Sequence, residues 1–578
     1  MNKESVFRTR GARREPWQLA MAAVVVGLAA AAVAVVLRSG VHWLFEALEP
    51  LREHWWGMIA APAVGALLGV AIIRVLFREP GGHGVPAVLE AVTRRGGHMR
   101  PRSIVSRLLG SLVNVASGGS AGLEGPIVYS AAAVGSTLAG GMRMAERQRV
   151  LLLACGVAGG IGAIFNAPLT GMIFTMEVVL AEWTLGALLP IAIAATVATE
   201  AGRMVLGEQG AFVTAESFTW NAHDLAASGF LGAATGLVSV ALVASIFRME
   251  RFTRSLKRGF FTGRLGLVAG LAGMGVGIIG LWMPEAIGEG YETVNAALTG
   301  ELPLGPWLLL LVGAKVLTTT LTLGSNAPGG IFAPSLVLGA SLGYGFGTLL
   351  AFVFPSLGFA PPAFFALAAM AGLVSGSMQA PFTGIILALE TTGGWDGTLP
   401  LILVAVLSVL VSRTFLRHSF YTWELAERGE LMRPGSDRRI LAEMRAGEIL
   451  DQEAVSIESG RTLDDLAQIL PRTKRNHFAV VDVEGKLLGM LDLTSLRGVI
   501  FDDTVRRVTP VDTVMDAAVT HIGDQASLLQ AMEAFESSGA WVLPVVDEQD
   551  RYLGTLSKST LFDRYRTELI VQTADHQE

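Results

Sequence analysis

The chain contains long apolar segments without a single charged residue. Residues 17–37 and 225–247 are two of them, and similar runs recur up to Val411. A helix of about 20 apolar residues crosses the roughly 30 Å of hydrocarbon in a bilayer. Hydrophobic residues make up 51% of the 578 and charged residues only 16%, which is typical of membrane proteins and not of soluble domains. The sequence therefore predicts a multi-pass membrane protein.

The N-terminal segment predicts the orientation. Its basic residues are Lys3, Arg8, Arg10, Arg13 and Arg14. Basic residues next to a membrane helix favour the cytoplasmic side, and the apolar run that follows is too long for a signal peptide. Because no targeting signal is recognisable and the tail is compact, we expect a prokaryotic plasma (inner) membrane, with the N-terminus and the C-terminal tail in the cytoplasm.

The composition changes after Arg413, and the remaining tail has the pattern of a soluble α/β unit. From about residue 446, apolar strands alternate with short amphipathic helices. Residues 478–496 match residues 543–561 at a constant shift of 65 positions. The tail is therefore predicted to contain a tandem repeat.

The membrane region is duplicated as well. GLEGPIVYSAAAVG (122–135) matches GIFAPSLVLGASLG (330–343) in its Gly, Pro and Gly positions, and APLTGMIFTME (167–177) matches APFTGIILALE (380–390). Duplicated halves of transporters commonly have inverted topology, with helices broken near the midplane and a binding site between the halves. We expect an all-α membrane domain of this kind.

Three segments rich in Gly and Pro predict helix N-termini inside the membrane. Proline suits the first helical position, and glycine lets the backbone approach a ligand closely. Helix N-termini carry unpaired N–H groups and the positive end of a dipole, so several together form an anion site without a full positive charge. Tight turns between packed helices are the alternative for any single segment. The residues concerned are Gly82, Gly84, Pro86, Gly122, Gly125, Pro126, Gly330 and Pro334.

These motifs resemble those of the CLC family of chloride channels and proton-coupled chloride antiporters. The resemblance rests on GLEGP, GHGVP (82–86), GGIFAPSLVLGASLG (329–343), FNAPLTGMIFTMEVV (165–179) and SFY (419–421). The tail is similar to a pair of cystathionine-β-synthase (CBS) domains. The resemblance implies a homodimer with one pore per subunit, built from two inverted halves. The expected parts are a cytoplasmic segment (1–16), the membrane domain (17–416), a linker (417–445), CBS domain 1 (446–502) and CBS domain 2 with the tail (503–578).

The resemblance also implies roles for individual residues. The backbone N–H groups of Ile331 and Phe332 would face the central anion, Tyr421 would donate its hydroxyl, and Glu124 would be the gate. An ionised carboxylate competes with the anion for the site, and protonation removes that charge, so we expect voltage- or pH-dependent gating. Chloride or another small anion is the expected ligand, and no enzymatic activity is expected.

Two positions depart from the family pattern. Val178 stands where antiporters of the family commonly have a second glutamate that relays protons, which favours a passive anion channel. A proton-coupled antiporter is the alternative, because some antiporters lack that glutamate. His83 stands where the pattern more often has Ser, and either lines the pore or bonds nearby backbone. Glu177 and Glu390 occupy equivalent places in the two halves, which indicates an architectural role.

The CBS pair raises the question of a nucleotide ligand. Such pairs often bind adenine nucleotides through an Asp three residues after a Ser or Thr. Here the positions of that Asp hold Ser495 and Thr560. A structural or dimerising role is therefore favoured over nucleotide binding.

A CBS-regulated cation carrier or a membrane metallohydrolase is the remote alternative. His83 with Glu124 or Glu177 would be its ligands, but no HExxH or similar close spacing occurs in the sequence. We expect no metal. The expected partners are the lipid bilayer, small inorganic anions and a second copy of the chain, and no nucleic acid.

Overall fold

The computed structural model divides the chain into two compact units, residues 1–431 and residues 432–578. The division falls inside the predicted linker 417–445. Most of the predicted segment 1–16 lies outside the described residues. The structure describes residues 15–207, 212, 218–256, 265–303, 305–393, 397–428, 441, 444–451, 455–473 and 475–574.

The first half of the first unit consists of helices joined by short segments. Its helices α3 and α8 each continue into a π-helical turn, Ile72–Leu76 and Thr175–Leu180. The helices are α1 (Glu15–Ala47), α2 (Glu49–Arg52), α3 (Trp55–Ala71), α4 (Val85–Arg94), α5 (Ser103–Ala116), α6 (Glu124–Gly141), α7 (Glu146–Phe165), α8 (Pro168–Phe174) and α9 (Leu185–Leu206).

The second half of the unit continues in the same way. Its helices are α10 (Ala222–Leu256), α11 (Leu265–Gly280), α12 (Tyr291–Thr299), α13 (Trp307–Gly324), α14 (Phe332–Val353), α15 (Pro362–Met378), α16 (Pro381–Thr392), α17 (Thr398–Phe415) and α18 (Trp423–Glu427).

Eight helical spans among the described residues are long and apolar enough to cross a membrane. Four further apolar helices are shorter, including α5 and α15, as expected where helices break within a bilayer. The prediction of a multi-pass, all-α membrane domain is confirmed. The eight spans are Trp17–Ala47, Trp55–Leu76, Glu146–Phe165, Leu185–Leu206, Ala222–Ser255, Trp307–Gly324, Phe332–Val353 and Thr398–Phe415.

Glycines let equivalent helix pairs approach closely in the two halves. Helix α6 packs against α7, and α14 packs against α15. A Cβ on Gly135 would overlap the carbonyl oxygen of Leu152, and a Cβ on Gly343 would overlap that of Phe365. Small residues at such contacts are how membrane helices gain packing contact without a hydrophobic driving force.

The two halves also cap each other's helices. Glu177, in the turn after α8, accepts hydrogen bonds from the N–H (2.8 Å) and the hydroxyl (2.7 Å) of Thr383 at the start of α16. Glu390, in α16, accepts the same pair from Thr170 at the start of α8, both at 2.7 Å. Carboxylates satisfy unpaired N–H groups at helix N-termini. Both glutamates are therefore architectural.

The second unit contains two small sheets with the same topology. In each sheet the first two strands are parallel and the last two antiparallel. Strands β5 and β6 follow β2 and β3 at the predicted shift, which confirms the tandem α/β repeat. The elements are β1 (Ser456–Glu458), α19 (Leu463–Ile469), β2 (His477–Val481), β3 (Leu487–Asp492), α20 (Leu493–Leu496), α21 (Asp503–Val508), β4 (Ile522–Gly523), α22 (Leu528–Ser538), β5 (Val542–Val546), β6 (Tyr552–Ser557) and α23 (Lys558–Ala574).

The two positions relevant to nucleotide binding follow β3 and β6. The hydroxyl of Ser495 donates to the carbonyl oxygen of Asp492 at 2.7 Å, and the hydroxyl of Thr560 lies 2.8 Å from that of Ser557. Each hydroxyl thus bonds within its own turn. Neither position supplies a carboxylate.

Candidate anion site

Three helices begin at the predicted Gly/Pro segments. Helix α4 begins at Val85, α6 at Glu124 and α14 at Phe332. Pro86 is the second residue of its helix, and Pro126 and Pro334 are the third, one or two positions later than predicted. These positions still tolerate proline, because the first four N–H groups of a helix have no intrahelical acceptor.

The duplicated segments meet directly. Gly122 and Gly330 exchange both backbone hydrogen bonds, each N–H donating to the other carbonyl at 2.9 Å. A Cβ on either glycine would overlap the carboxylate of Glu124. The starts of α6 and α14 therefore converge, and the absence of side chains at both glycines leaves the space that Glu124 occupies.

The start of α4 lies against the start of α6. A Cβ on Gly125 would lie 2.8 Å from the carbonyl oxygen of His83, and a Cβ on Gly84 would lie 2.7 Å from that of Gly125. Gly82 and Gly84 have φ values of 127° and 88°, which favour glycine. The buried guanidinium of Arg107, in α5, donates to the carbonyl oxygen of Gly82. The GHGVP segment is thus held beside the other two helix starts.

The side chain of Glu124, the first residue of α6, reaches the N-terminus of α14. It is fully buried, and its Oε1 accepts a hydrogen bond from the backbone N–H of Phe332. Oε2 has no hydrogen-bond partner in the described part of the chain. Ile331, the residue before the helix, is also fully buried. The carboxylate therefore bonds one of the two backbone donors that the family resemblance assigns to the anion.

Tyr421 is buried behind the aromatic side chains of the site. Its ring lies 6.2 Å from that of Phe174, which lies 5.7 Å from that of Phe332. Within the described residues its hydroxyl has no hydrogen-bond partner. Buried hydroxyls are usually paired. Because the Tyr421 hydroxyl has no such partner, it can donate a hydrogen bond to a small anion.

His83 bonds a carboxylate, which neither sequence-based alternative anticipated. Its Nε2 lies 2.5 Å from Oε1 of Glu250, and the two side chains are only 3% and 9% exposed. Its Nδ1 has no partner among the residues described. The ring lies 4.8 Å from that of Phe420, the neighbour of Tyr421. His83 is therefore placed next to the site but is held by a second helix, α10.

Sequence reasoning missed three buried charged residues of the membrane unit. Glu250 and Arg107 contact the GHGVP segment, as described above. Lys315 is fully buried in α13, where its Nζ donates to the carbonyl oxygen of Gly288 at 2.9 Å. A lone cation in an apolar helix is a recognisable signal, and it would have identified Lys315. Glu250 lies in the charged end of a long helix, where nothing in the sequence distinguishes a functional carboxylate from its charged neighbours.

Val178 is half-buried in the π-helical turn after α8 and packs against the apolar core. It supplies no titratable group. Across the described ranges, no group of three or more His, Cys, Asp and Glu side chains could hold a metal ion.

Family models match both units. A model described as voltage gated chloride channel matches residues 64–413, and one described as CBS domain matches residues 446–502 and 511–566. The H(+)/Cl(-) exchange transporter ClcA of Vibrio cholerae serotype O1 (strain M66-2) is 30% identical over 437 residues, which span 72% of this chain and 90% of the relative. The transporter of the same name from Yersinia pestis bv. Antiqua (strain Angola) is 31% identical over 415 residues, 69% of this chain and 85% of the relative.

Solved structures share the fold. A slow cyanobacterial Cl-/H+ antiporter superposes with a TM-score of 0.65 at 23% identity, covering 71% of this chain and 98% of its own. A eukaryotic CLC transporter superposes with a TM-score of 0.63 at 19% identity, covering 94% and 98%.

Proposed function

The chain belongs to the CLC family of voltage-gated chloride channels and H+/Cl− exchange transporters, and from this premise we propose that it exchanges chloride for protons. The relatives named H(+)/Cl(-) exchange transporter, at 30% and 31% identity, support exchange. Val178 had favoured a passive channel, but that substitution removes only one route for protons. The comparisons therefore favour the antiporter over the channel that the sequence predicted.

The observation that carries the proposal is the hydrogen bond from Phe332 N–H to Glu124. A carboxylate and a chloride ion both seek the same backbone donor and the same positive helix end. When Glu124 is ionised, it occupies the donor. When Glu124 is protonated, the donor is released and chloride binds.

Competition of this kind couples the two ions. If a proton on Glu124 increases the affinity for chloride, chloride must increase the affinity for that proton by the same factor. Helix ends and the hydroxyl of Tyr421 offer partial charges, so the anion is held without being trapped. Each subunit then carries its own pathway for chloride and protons.

Assembly and orientation are part of the proposal. We expect a homodimer in a prokaryotic plasma membrane, with the N-terminus and the CBS tail in the cytoplasm. The family membership supports the dimer, and the basic residues at the N-terminus support the orientation. Subunit counting in detergent and labelling of introduced cysteines in intact cells would test the two statements separately.

The deciding experiment is a flux assay on purified protein in lipid vesicles. A chloride gradient is imposed while internal pH and chloride are recorded together. Exchange predicts that protons move against their own gradient when chloride runs down its gradient. Chloride movement without protons would instead establish the channel, and no movement of either ion would reject both.

A further inference from the structure

An exchanger of this design needs a route by which protons reach Glu124, and Val178 offers none. Building on the proposed exchange activity, we infer that His83 passes protons to Glu124. Glu250 positions the imidazole ring and stabilises its protonated form. The assignment follows from the placement of these two residues between the anion site and the surface.

His83 lies beside the helix that carries Glu124. The backbone of residue 83 abuts the first turn of α6, since a Cβ on Gly125 would lie 2.8 Å from the His83 carbonyl oxygen. The His83 ring packs 4.8 Å from the ring of Phe420. Its unpaired Nδ1 is the atom available for proton exchange, because Nε2 is engaged by Glu250.

A chain of ion pairs connects Glu250 with the surface of the unit. Oε2 of Glu250 lies 3.2 Å from the guanidinium of Arg254, which lies 2.8 Å from Oε2 of Glu427 in α18. The side chains of Arg254 and Glu427 are 42% and 30% exposed. The His83–Glu250 pair is thus buried at one end and one ion pair away from solvent at the other.

Two other buried carboxylates of the described membrane unit have structural partners. Besides Glu124 and Glu250 these are Glu79 and Asp224. Glu79 accepts a hydrogen bond from the Ser103 hydroxyl at 2.6 Å. Asp224 accepts one from the backbone N–H of Ala360 at 2.8 Å. Neither is hydrogen-bonded to His83 or to Glu124. A further carboxylate, Glu289, has a buried Oε1 without a hydrogen-bond partner among the described residues. Of the carboxylates described, Glu250 is the one that is hydrogen-bonded to His83.

The proton step follows the logic of a carboxylate–imidazole pair. Neutral His83 keeps its proton on Nε2, donated to the Glu250 carboxylate, and Nδ1 takes a proton from water. The pair then consists of imidazolium and carboxylate, with no net charge. Nδ1 next releases that proton, by way of water, to the Glu124 carboxylate, and the pair returns to one negative charge. Glu250 stays ionised throughout and stabilises the imidazolium.

Other charged groups face this pair. Arg254 lies on the same helix as Glu250 and pairs with Glu427 of α18. Glu424 of α18 would lie 3.6 Å from a Cβ on Gly82 and is paired with Arg428. Arg107 reaches from α5 to the carbonyl oxygen of Gly82. Of the charged groups described, Glu250 is the one in direct contact with the His83 ring, at 2.5 Å.

The test is the number of protons moved per chloride, measured in vesicles for wild type, Glu250→Gln and His83→Ser. The amide of Gln cannot stabilise an imidazolium, and Ser cannot carry a proton as a charged group. We expect the ratio to fall at least about tenfold in both variants. Because it is a ratio, it is unaffected by the fraction of protein that has folded. Should Glu250→Gln give too little folded protein, His83→Ser decides alone.

Glu79→Gln is the matched control, since Glu79 is a buried carboxylate near the same segment. It should leave the ratio within about twofold of wild type. A ratio unchanged in Glu250→Gln and His83→Ser, with wild type still moving protons, would overturn the relay while the exchange function stands. A wild type that moves chloride and no protons would overturn the proposed function itself.

Discussion

The backbone N–H of Phe332 donates a hydrogen bond to the carboxylate of Glu124, although the two residues are 208 positions apart in the chain. They come from equivalent places in the duplicated halves, and one half supplies the donor while the other supplies the acid. The duplication thus produced an anion site in which a carboxylate from one half competes with the anion for the backbone N–H donors of the other half.

Replacing Glu124 by Gln should uncouple chloride from protons. The amide cannot lose a proton, so it cannot alternate between occupying the Phe332 donor as an anion and leaving it. We expect chloride flux that no longer depends on pH and a proton flux lowered at least about tenfold. Simultaneous recording of both ions in vesicles measures this. Persistence of the wild-type pH response in Glu124→Gln would contradict the gating role.

Adding a side chain at Gly122 should block the site through Glu124 specifically. The three atoms nearest to a Cβ on Gly122 all belong to the Glu124 carboxylate. Gly122→Ala should therefore reduce chloride flux at least about tenfold, and Glu124→Ala in the same chain should restore most of it.

The control for this pair is Gly141→Ala, since a Cβ there meets nothing within 4 Å. It lies at the end of the same helix and should transport at the wild-type rate. If Gly122→Ala stays inactive after Glu124 is truncated, the collision lies elsewhere and the predicted coupling is wrong.

The reciprocal caps should act on stability. Truncation in Glu177→Ala or Glu390→Ala leaves backbone N–H groups at the start of the opposite helix without an acceptor, at a cost of about 1–3 kcal/mol for each unpaired group. Both variants should lower the apparent unfolding temperature in detergent by similar amounts. Glu200→Ala, which removes a carboxylate that is 58% exposed, should change it little. Unequal changes in the unfolding temperature would show that the two capping glutamates do not stabilise their helices to the same extent.

One ion pair in the CBS unit predicts a dependence on pH. The Arg506 guanidinium, 2.8 Å from Asp464, holds the pKa of that carboxyl below its ordinary value. A lowered pKa in the folded state gives stability that is present above the ordinary pKa of about 3.9 and is lost as pH falls through the folded value. The window therefore lies below about pH 4.

Hydrogen exchange of Leu463–Ile469 in full-length protein measures this effect. Wild type should be better protected than Asp464→Asn at about pH 6, and the difference should vanish toward about pH 2.5. Comparing the two proteins at each pH cancels the intrinsic dependence of exchange. A difference that persists at the lowest pH would contradict the sign.

Adenine nucleotide should not stabilise the protein strongly. Ser495 and Thr560 offer hydroxyls that already bond within their own turns. A ligand at 100 times its dissociation constant would add about 2.7 kcal/mol, which raises the unfolding temperature measurably. We expect no shift with millimolar ATP. A saturable rise would show that other residues of the CBS pair hold the nucleotide.

Much of the architecture was predictable because it depends on local or periodic features. Apolar runs mark membrane helices, Gly and Pro mark where helices begin, and the internal matches identify both repeats. The prolines of α6 and α14 were both placed two positions too early, since several positions in the first turn tolerate a residue without N–H. The equivalence of Glu177 and Glu390 could be read from their alignment, and the structure shows the reciprocal caps behind it.

The contacts of His83 were not predictable. Its partner Glu250 is 167 positions away, in a helix end with several charges, and nothing local distinguishes that carboxylate from its neighbours. The two alternatives considered from sequence were a pore-facing ring and a ring bonded to nearby backbone. A contact with a distant helix belongs to neither, because it depends on how α10 packs against the GHGVP segment.

The sequence by itself determined that this chain enters a membrane, that it consists of duplicated halves followed by a CBS pair, and where helices start inside the bilayer. These properties follow from hydrophobicity and backbone preference, which act along the chain. Only the tertiary structure decided that Gly122 pairs with Gly330, that Glu124 reaches Phe332 and that His83 reaches Glu250. Such contacts join residues far apart in sequence, and they arise from the packing of whole helices, which no short segment encodes.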